Sequence, residues 1–219
     1  MTDRNDRAAR FQRIFEENAW GNAESVSGEG SNLDRTRVVR AKLPGLLARH
    51  NVRSILDAPC GDFYWMKEVD LRGVDYDIDY IGADIVPEII ERDVQWYAGP
   101  KRRFVLCDLV SDPLPKADLI LCRDCLVHLP YRETRKALEN MKQSGATWLL
   151  TTTFTGPREN RDIELGDWRA INLERPPFNF PAPVDVINEE SDEVDEELGA
   201  FPDKSLGLWR LADVLVTRP

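Results

Sequence analysis

The chain has 219 residues, 42% of them hydrophobic, which suits one compact domain with irregular additions and leaves little room for a second. Its 29 basic and 39 acidic residues sum to a net charge of -10, and seven of the acids fall in "NEESDEVDEE" (188–197). That balance argues against broad capture of nucleic acid or an anionic membrane, both of which select a net basic surface, and leaves a local cationic pocket open.

The opening "MTDRNDRAARFQRIF" is charged from its third residue and lacks an apolar core of signal-peptide length. No later stretch approaches the roughly 20 apolar residues of a membrane helix, so a cytosolic protein is expected. Ala8, Phe11, Ile14 and Phe15 share a helical face that ends near "NAWG". "ESVSGEGSN" (24–32) reads as a loop. A second helix is expected over 33–49, with Val38, Val39, Leu43, Leu46 and Leu47 as its buried stripe and Pro44 kinking or splitting it.

From Val52 short apolar runs alternate with helical segments, the pattern of a doubly wound α/β sheet. The expected strands are 54–58, 80–85, 103–108, 118–124 and 147–154. Helical segments are expected at "FYWMKEV", "PEIIERDVQWYA" and "YRETRKALENMKQS", whereas "LVSDPLPKA" (109–117) is too short and proline-rich for one. Parallel strands in this order gather their C-terminal ends on one edge, where such folds bind ligands. A long aromatic and proline-rich stretch then reads as an ordered lid loop (155–203), its acidic run solvated and mobile. "KSLGLWRLADVLV" (204–216) reads as one or two late strands at a sheet edge. The division is a helical cap or flap (1–50), a cofactor-binding core (52–154), the lid and the C-terminal strands (204–219), within a single domain.

Cys60, Cys107, Cys122 and Cys125 lie in or beside apolar runs and are expected to be reduced; the lone C-x-x-C has no second pair at zinc spacing. No metal site is expected. "LDAPCGDF" (56–63) is the informative loop. Gly61 lets the main chain approach a ligand. The spacing of a phosphate loop is absent, and Asp62, Phe63 and Tyr64 stand where a dinucleotide loop needs glycines. An acidic, bulky start to the following helix suits a cation, such as an ammonium or a sulfonium.

"LDAPCGDFYW" resembles the first motif of class I S-adenosylmethionine-dependent methyltransferases, with Pro59 in place of the earlier glycine. "IGADI", "CDL" and "DLILCRDCLVHLPYRETRKALENM" continue the resemblance over about 52–154. It implies a Rossmann-like, doubly wound, mostly parallel sheet, with S-adenosylmethionine as cofactor and S-adenosylhomocysteine as product. The combination "WGNAESVSGEGS", "GADIVPEII", "LLTTTF", "NLERPPFNFP" and "KSLGLWRL" further resembles a bacterial group associated with surface-polysaccharide and related sugar pathways.

The resemblance implies that Asp84 holds ribose hydroxyls and Asp108 lies near the adenine, with Asp57, Pro59, Gly61, Ile85, Leu109 and Arg123 completing the cofactor set. The bland alternatives are caps and turns for the three acids. His128, one of two histidines, is the candidate base for an attacking hydroxyl, or else a satisfied histidine after a strand. Arg123 and Asp124 either form a structural pair or face the cleft, where Arg123 fits an anionic acceptor such as a carboxylate, phosphate or sugar acid. Trp20, Ser25, Ser27 and Ser31 form a candidate flap over the cofactor, and Trp20, Ser25 and Asp124 are also candidates for contact with the acceptor. Trp168, Arg169 and Asn172 offer an aromatic wall, a cation and an amide to a polar acceptor.

The expected reaction is methyl transfer to a small polar acceptor, with oxygen favoured and no nucleic-acid or membrane partner. Alternatives are a cofactor-binding accessory protein, or a nicotinamide oxidoreductase. The latter is disfavoured by the missing glycines and by a Tyr97-to-Lys101 spacing broken by Gly99 and Pro100.

Overall fold

The computed structural model describes residues 3–72, 77–195 and 199–215. In chain order the helices are α1 (Arg4–Glu16), α2 (Arg37–Arg49), α3 (Pro87–Tyr97) and α4 (Tyr131–Gln143). The strands are β1 (Ser54–Asp57), β2 (Asp79–Asp84), β3 (Arg102–Leu106), β4 (Leu119–Cys122), β5 (Trp148–Phe154), β6 (Asp185–Asn188), β7 (Val194–Asp195), β8 (Gly199–Ala200) and β9 (Lys204–Arg210). Seven of them form one sheet in the order β3-β2-β1-β4-β5-β9-β6, parallel from β3 to β5, with β9 antiparallel to both its neighbours. β7 and β8 make a separate small hairpin.

The central strands β4 and β5 are buried along their whole length, as expected of parallel strands covered on both faces. One face carries α2, through Val39, Leu43, Leu46 and Leu47, together with Phe63, Trp65 and Met66. The other carries α4, through Ala137, Leu138 and Met141, and the later segment bearing Ile171, Leu173, Phe178 and Phe180. At roughly 1.5–3 kcal/mol per fully buried large apolar side chain, these two layers hold the strand ends in place.

Four expectations change. "FYWMKEV" forms only a single 3-10 turn at Met66–Glu68. Phe63 has φ +55° and packs between Tyr80, Tyr97 and Phe104, a role that helical geometry does not allow. Pro44 lies within α2 without splitting it. The late strand β9 is not at the edge: β6, drawn from the segment expected to be a loop, pairs outside it. The acidic run is not wholly solvated, since Glu189 is 4% exposed; its residues 196 and 197 lie outside the described residues, as do 198 and 216–219. Among the described residues no helix is long and apolar enough to cross a membrane.

Candidate active site

Parallel pairing of β1 with β2 sets Asp57 opposite Gly82, so the carboxylates of Asp57 and Asp84 emerge at the same edge. Asp57 is 2% exposed and accepts a hydrogen bond from the Tyr80 hydroxyl at 2.6 Å. Burial pushes its pKa up to about 7. Asp84 accepts from the backbone N–H of Gly61 at 3.1 Å and of Val86 at 3.0 Å, and burial raises its pKa to about 6. With about four lone-pair sites, each carboxylate keeps capacity for a ligand's donors.

The turn between the two acids reverses at Gly61, with φ +54°, just after a cis Ala58–Pro59 bond. No helix follows it closely, so it offers no macrodipole to a pyrophosphate. Nor does Asp62 await a cation in the cleft. Its carboxylate accepts from the Ser25 hydroxyl at 2.9 Å, the Val26 N–H at 3.1 Å and the Ser27 hydroxyl at 3.2 Å, tying segment 22–32 down onto the loop. Ser25, expected at the acceptor, is part of this clasp and lies outside the cleft wall.

The strand ends and this segment enclose a cleft of about 1120 Å³, open solvent at its mouth included. Asp57, Pro59, Gly61, Asp84, Ile85, Asp108, Leu109 and Arg123 all line it, as do Trp20, Asp124 and His128. The inward face of α1, Phe11, Ile14 and Phe15, roofs it. Beside Asp84 the wall is apolar, made by Ile85, Val86, Leu109 and Val110. Asp108 is engaged elsewhere: Arg7 of α1 donates to it from Nε at 3.0 Å and to Glu133 from Nη1 at 2.8 Å, all three buried. Its remaining capacity goes to the Val110 N–H and the Ser111 hydroxyl.

At the other end of the cleft Arg123 is not a free anion clamp. Its Nε and Nη2 grip both oxygens of Glu189, at 3.1 and 2.7 Å, and its Nη1 donates to the Gly30 carbonyl at 2.7 Å. Asp124 lies 3.2 Å from the same Nη1. Lys204 then bridges Asp124 at 3.0 Å and Glu193 at 3.1 Å. Burial opposes the charge on Asp124, but Arg123 and Lys204 outweigh it and hold its pKa well below the ordinary value. Glu189, Lys204 and Glu193 were not read from the sequence. Two of the three sit in the acidic run, where neighbouring acids suggest solvent.

His128 ends a 3-10 turn (Leu126–His128) after β4. Its Nδ1 lies 2.9 Å from the Asp167 carbonyl, which only accepts, so Nδ1 carries the proton and Nε2 the lone pair. Burial lowers its pKa. Trp20 stacks on the ring with centroids 4.8 Å apart.

The long segment after β5 supports this turn rather than covering the cleft. Gly166 and Arg169 donate backbone N–H groups to the carbonyls of His128 and Val127. Arg169, fully buried, reaches the Leu126 carbonyl and the Thr134 hydroxyl, and burial lowers its pKa to about 10. Asn172 bonds the Gly156 carbonyl and the Glu174 N–H within its own loop. Trp168 packs on Phe154 and Phe201. None of the three lines the cleft, which corrects the expected acceptor pocket.

No family model matches the sequence, and no curated protein does. Solved structures share the fold. The methyltransferase domain of bacterial CtHen1 superposes with TM-score 0.54 at 13% identity, over 82% of this chain and 100% of that one. Human N-acetylserotonin methyltransferase, in complex with SAM, gives 0.52 at 14% identity over 95% of this chain and 56% of that one. Magnesium protoporphyrin IX methyltransferase from Synechocystis PCC 6803, with bound SAM, gives 0.50 at 15% identity over 73% and 81%.

Proposed function

We propose that this chain binds S-adenosylmethionine in the cleft and transfers its methyl group to a small polar acceptor, with oxygen the favoured atom. The observation that carries the reading is the pair Asp57 and Asp84 at adjacent strand ends, around a Gly61 turn that has neither the glycines nor the helix a phosphate needs. The residues fit the cofactor. Asp84 offers carboxylate oxygens to a ribose diol, and Ile85, Val86, Leu109 and Val110 make an apolar slot for a purine. Asp57, buried without a cationic partner at hydrogen-bond distance, gains one from an amino-acid ammonium.

When bound, the cofactor supplies an activated methyl group on sulfur. The chain aligns, desolvates and takes the proton. The roof of Phe11, Ile14, Phe15 and Trp20 excludes water. His128 presents Nε2 to a hydroxyl, and Asp167 fixes the tautomer. The resemblance to enzymes of sugar pathways, with a net charge of -10 opposing nucleic acid, favours a free polyhydroxylated molecule in the cytosol as acceptor. The test is calorimetry with S-adenosylmethionine and S-adenosylhomocysteine, with NAD and ATP as controls. Micromolar binding of the first two alone supports the reading, and binding of NAD or ATP in their place overturns it.

A further inference from the structure

On the methyl-transfer reading above the methyl end lies toward Asp124 and His128, and the polar side-chain atoms there are nearly all acceptors. Asp124 only accepts, Asp57 accepts in its carboxylate form, and His128 presents its lone-pair nitrogen. Among the described residues the hydroxyl of Ser31, also in the wall, has no hydrogen-bond partner, whereas that of Ser27 is engaged with Asp62. The cations in the wall are answered from within the protein. Arg7 is held at all three nitrogens by Asp108 and Glu133, and Arg123 at all three by Glu189 and Gly30. Lys204, behind Asp124, is shared between two carboxylates. Four lining carboxylates (Asp57, Asp84, Asp108, Asp124) face two lining guanidinium groups (Arg7, Arg123), a formal excess of two negative charges. The bound cofactor, with a sulfonium, an ammonium and a carboxylate, offsets one of them.

Among the described residues an anionic group brought to this end meets no free cation and stands among desolvated carboxylates, an arrangement that like-charge repulsion penalises. A ligand bearing N–H or O–H groups satisfies the same atoms. Resting on the methyl-transfer reading above, we propose that the acceptor is a hydrogen-bond donor, an amine or a polyol, with no carboxylate or phosphate near the atom that is methylated. The Glu189 carboxylate sets this preference by occupying the one guanidinium at that end.

The test is calorimetric titration of the S-adenosylhomocysteine complex with ethanolamine, glycerol, acetate and inorganic phosphate. The expected result is millimolar-range binding of ethanolamine or glycerol, weakened roughly tenfold by Asp124→Asn, and none of acetate or phosphate. Whichever of the two binds distinguishes amine from polyol. If Asp124→Asn does not fold, the four-probe comparison on the native chain decides alone. Tighter binding of acetate or phosphate, or binding of none of the four, overturns the proposal. Failure of S-adenosylhomocysteine itself to bind overturns the methyltransferase reading instead.

Discussion

Trp20 and His128 form a stacked pair, ring planes 26° apart, that joins the N-terminal roof of the cleft to the turn after β4. The imidazole is thus fixed by an indole on its face and by the Asp167 carbonyl at Nδ1. Burial lowers its pKa from 6.5, so it is neutral at pH 7 and competent to accept a proton. A base works only when unprotonated, so turnover should fall as pH drops through a value below 6.5 and be flat above it. His128→Gln should lower kcat by about 10²- to 10⁴-fold while leaving cofactor affinity intact. An unchanged rate removes His128 from the chemistry.

Asp84→Ala removes the carboxylate at the C-terminal end of β2. Hydrogen bonds to a charged group contribute about 1.5–3 kcal/mol each, so the dissociation constant for S-adenosylmethionine should rise by at least about tenfold. Native affinity measured by calorimetry rejects the assignment.

Glu189 and Glu190 are neighbours with opposite expectations. Glu189→Gln leaves the buried Arg123 guanidinium short of its bidentate partner, and unfolding in urea should show a loss of about 3–5 kcal/mol. Glu190 is 56% exposed and pairs with Arg37 and Lys42 at 3.7 and 3.6 Å. Glu190→Gln should change stability by less than about 0.5 kcal/mol. Equal effects would mean the network around Arg123 carries no weight.

Asp57 titrates in the unusual direction. Its pKa is raised from 3.8 to about 7 in the fold, so the folded state binds its proton more tightly than the unfolded chain. Stability should therefore fall as pH rises from about 4 to about 7 and then level off. Asp57→Asn abolishes this cost, and its melting temperature relative to the native chain should climb across that window. A constant difference between pH 4 and 8 contradicts the burial argument.

Gly61 combines φ +54° with a Cβ position only 2.1 Å from the Ser27 hydroxyl oxygen and 2.9 Å from Ser27 Cβ. Gly61→Ala should cost about 1–3 kcal/mol and loosen segment 22–32 from Asp62, detectable as faster proteolysis there. Ser27→Gly in the same chain should restore part of the loss. No recovery would place the strain in the backbone alone.

The parallel strands were legible because burial on both faces makes them continuous apolar runs, and Asp57 and Asp84 were legible because each closes such a run. β6 was not: only Ile187 of its four residues is buried, and it follows a proline-rich stretch. Sequence named β9 as a strand but carries no signal for its place between β5 and β6. Phe63 and Trp65 looked helical because their burial arises from packing under the loop, which has no period. The pairing of Arg7 with Asp108, 101 residues away, and of Arg123 with Glu189, 66 away, has no local signature at all.

β6 joins the main sheet only through β9, and β9 also brings Lys204 to Asp124. A chain emerging from the ribosome therefore exposes the Asp57–Gly61 turn, Arg123 and Asp124 well before the strand that closes the wall beside them exists. Until β9 threads in next to β5, Glu189 has no sheet to anchor it and Arg123 lacks its bidentate carboxylate. The Asp57–Asp84 side of the pocket takes shape early in synthesis, and the Arg123–Asp124 side is completed by a strand that arrives after all the parallel ones.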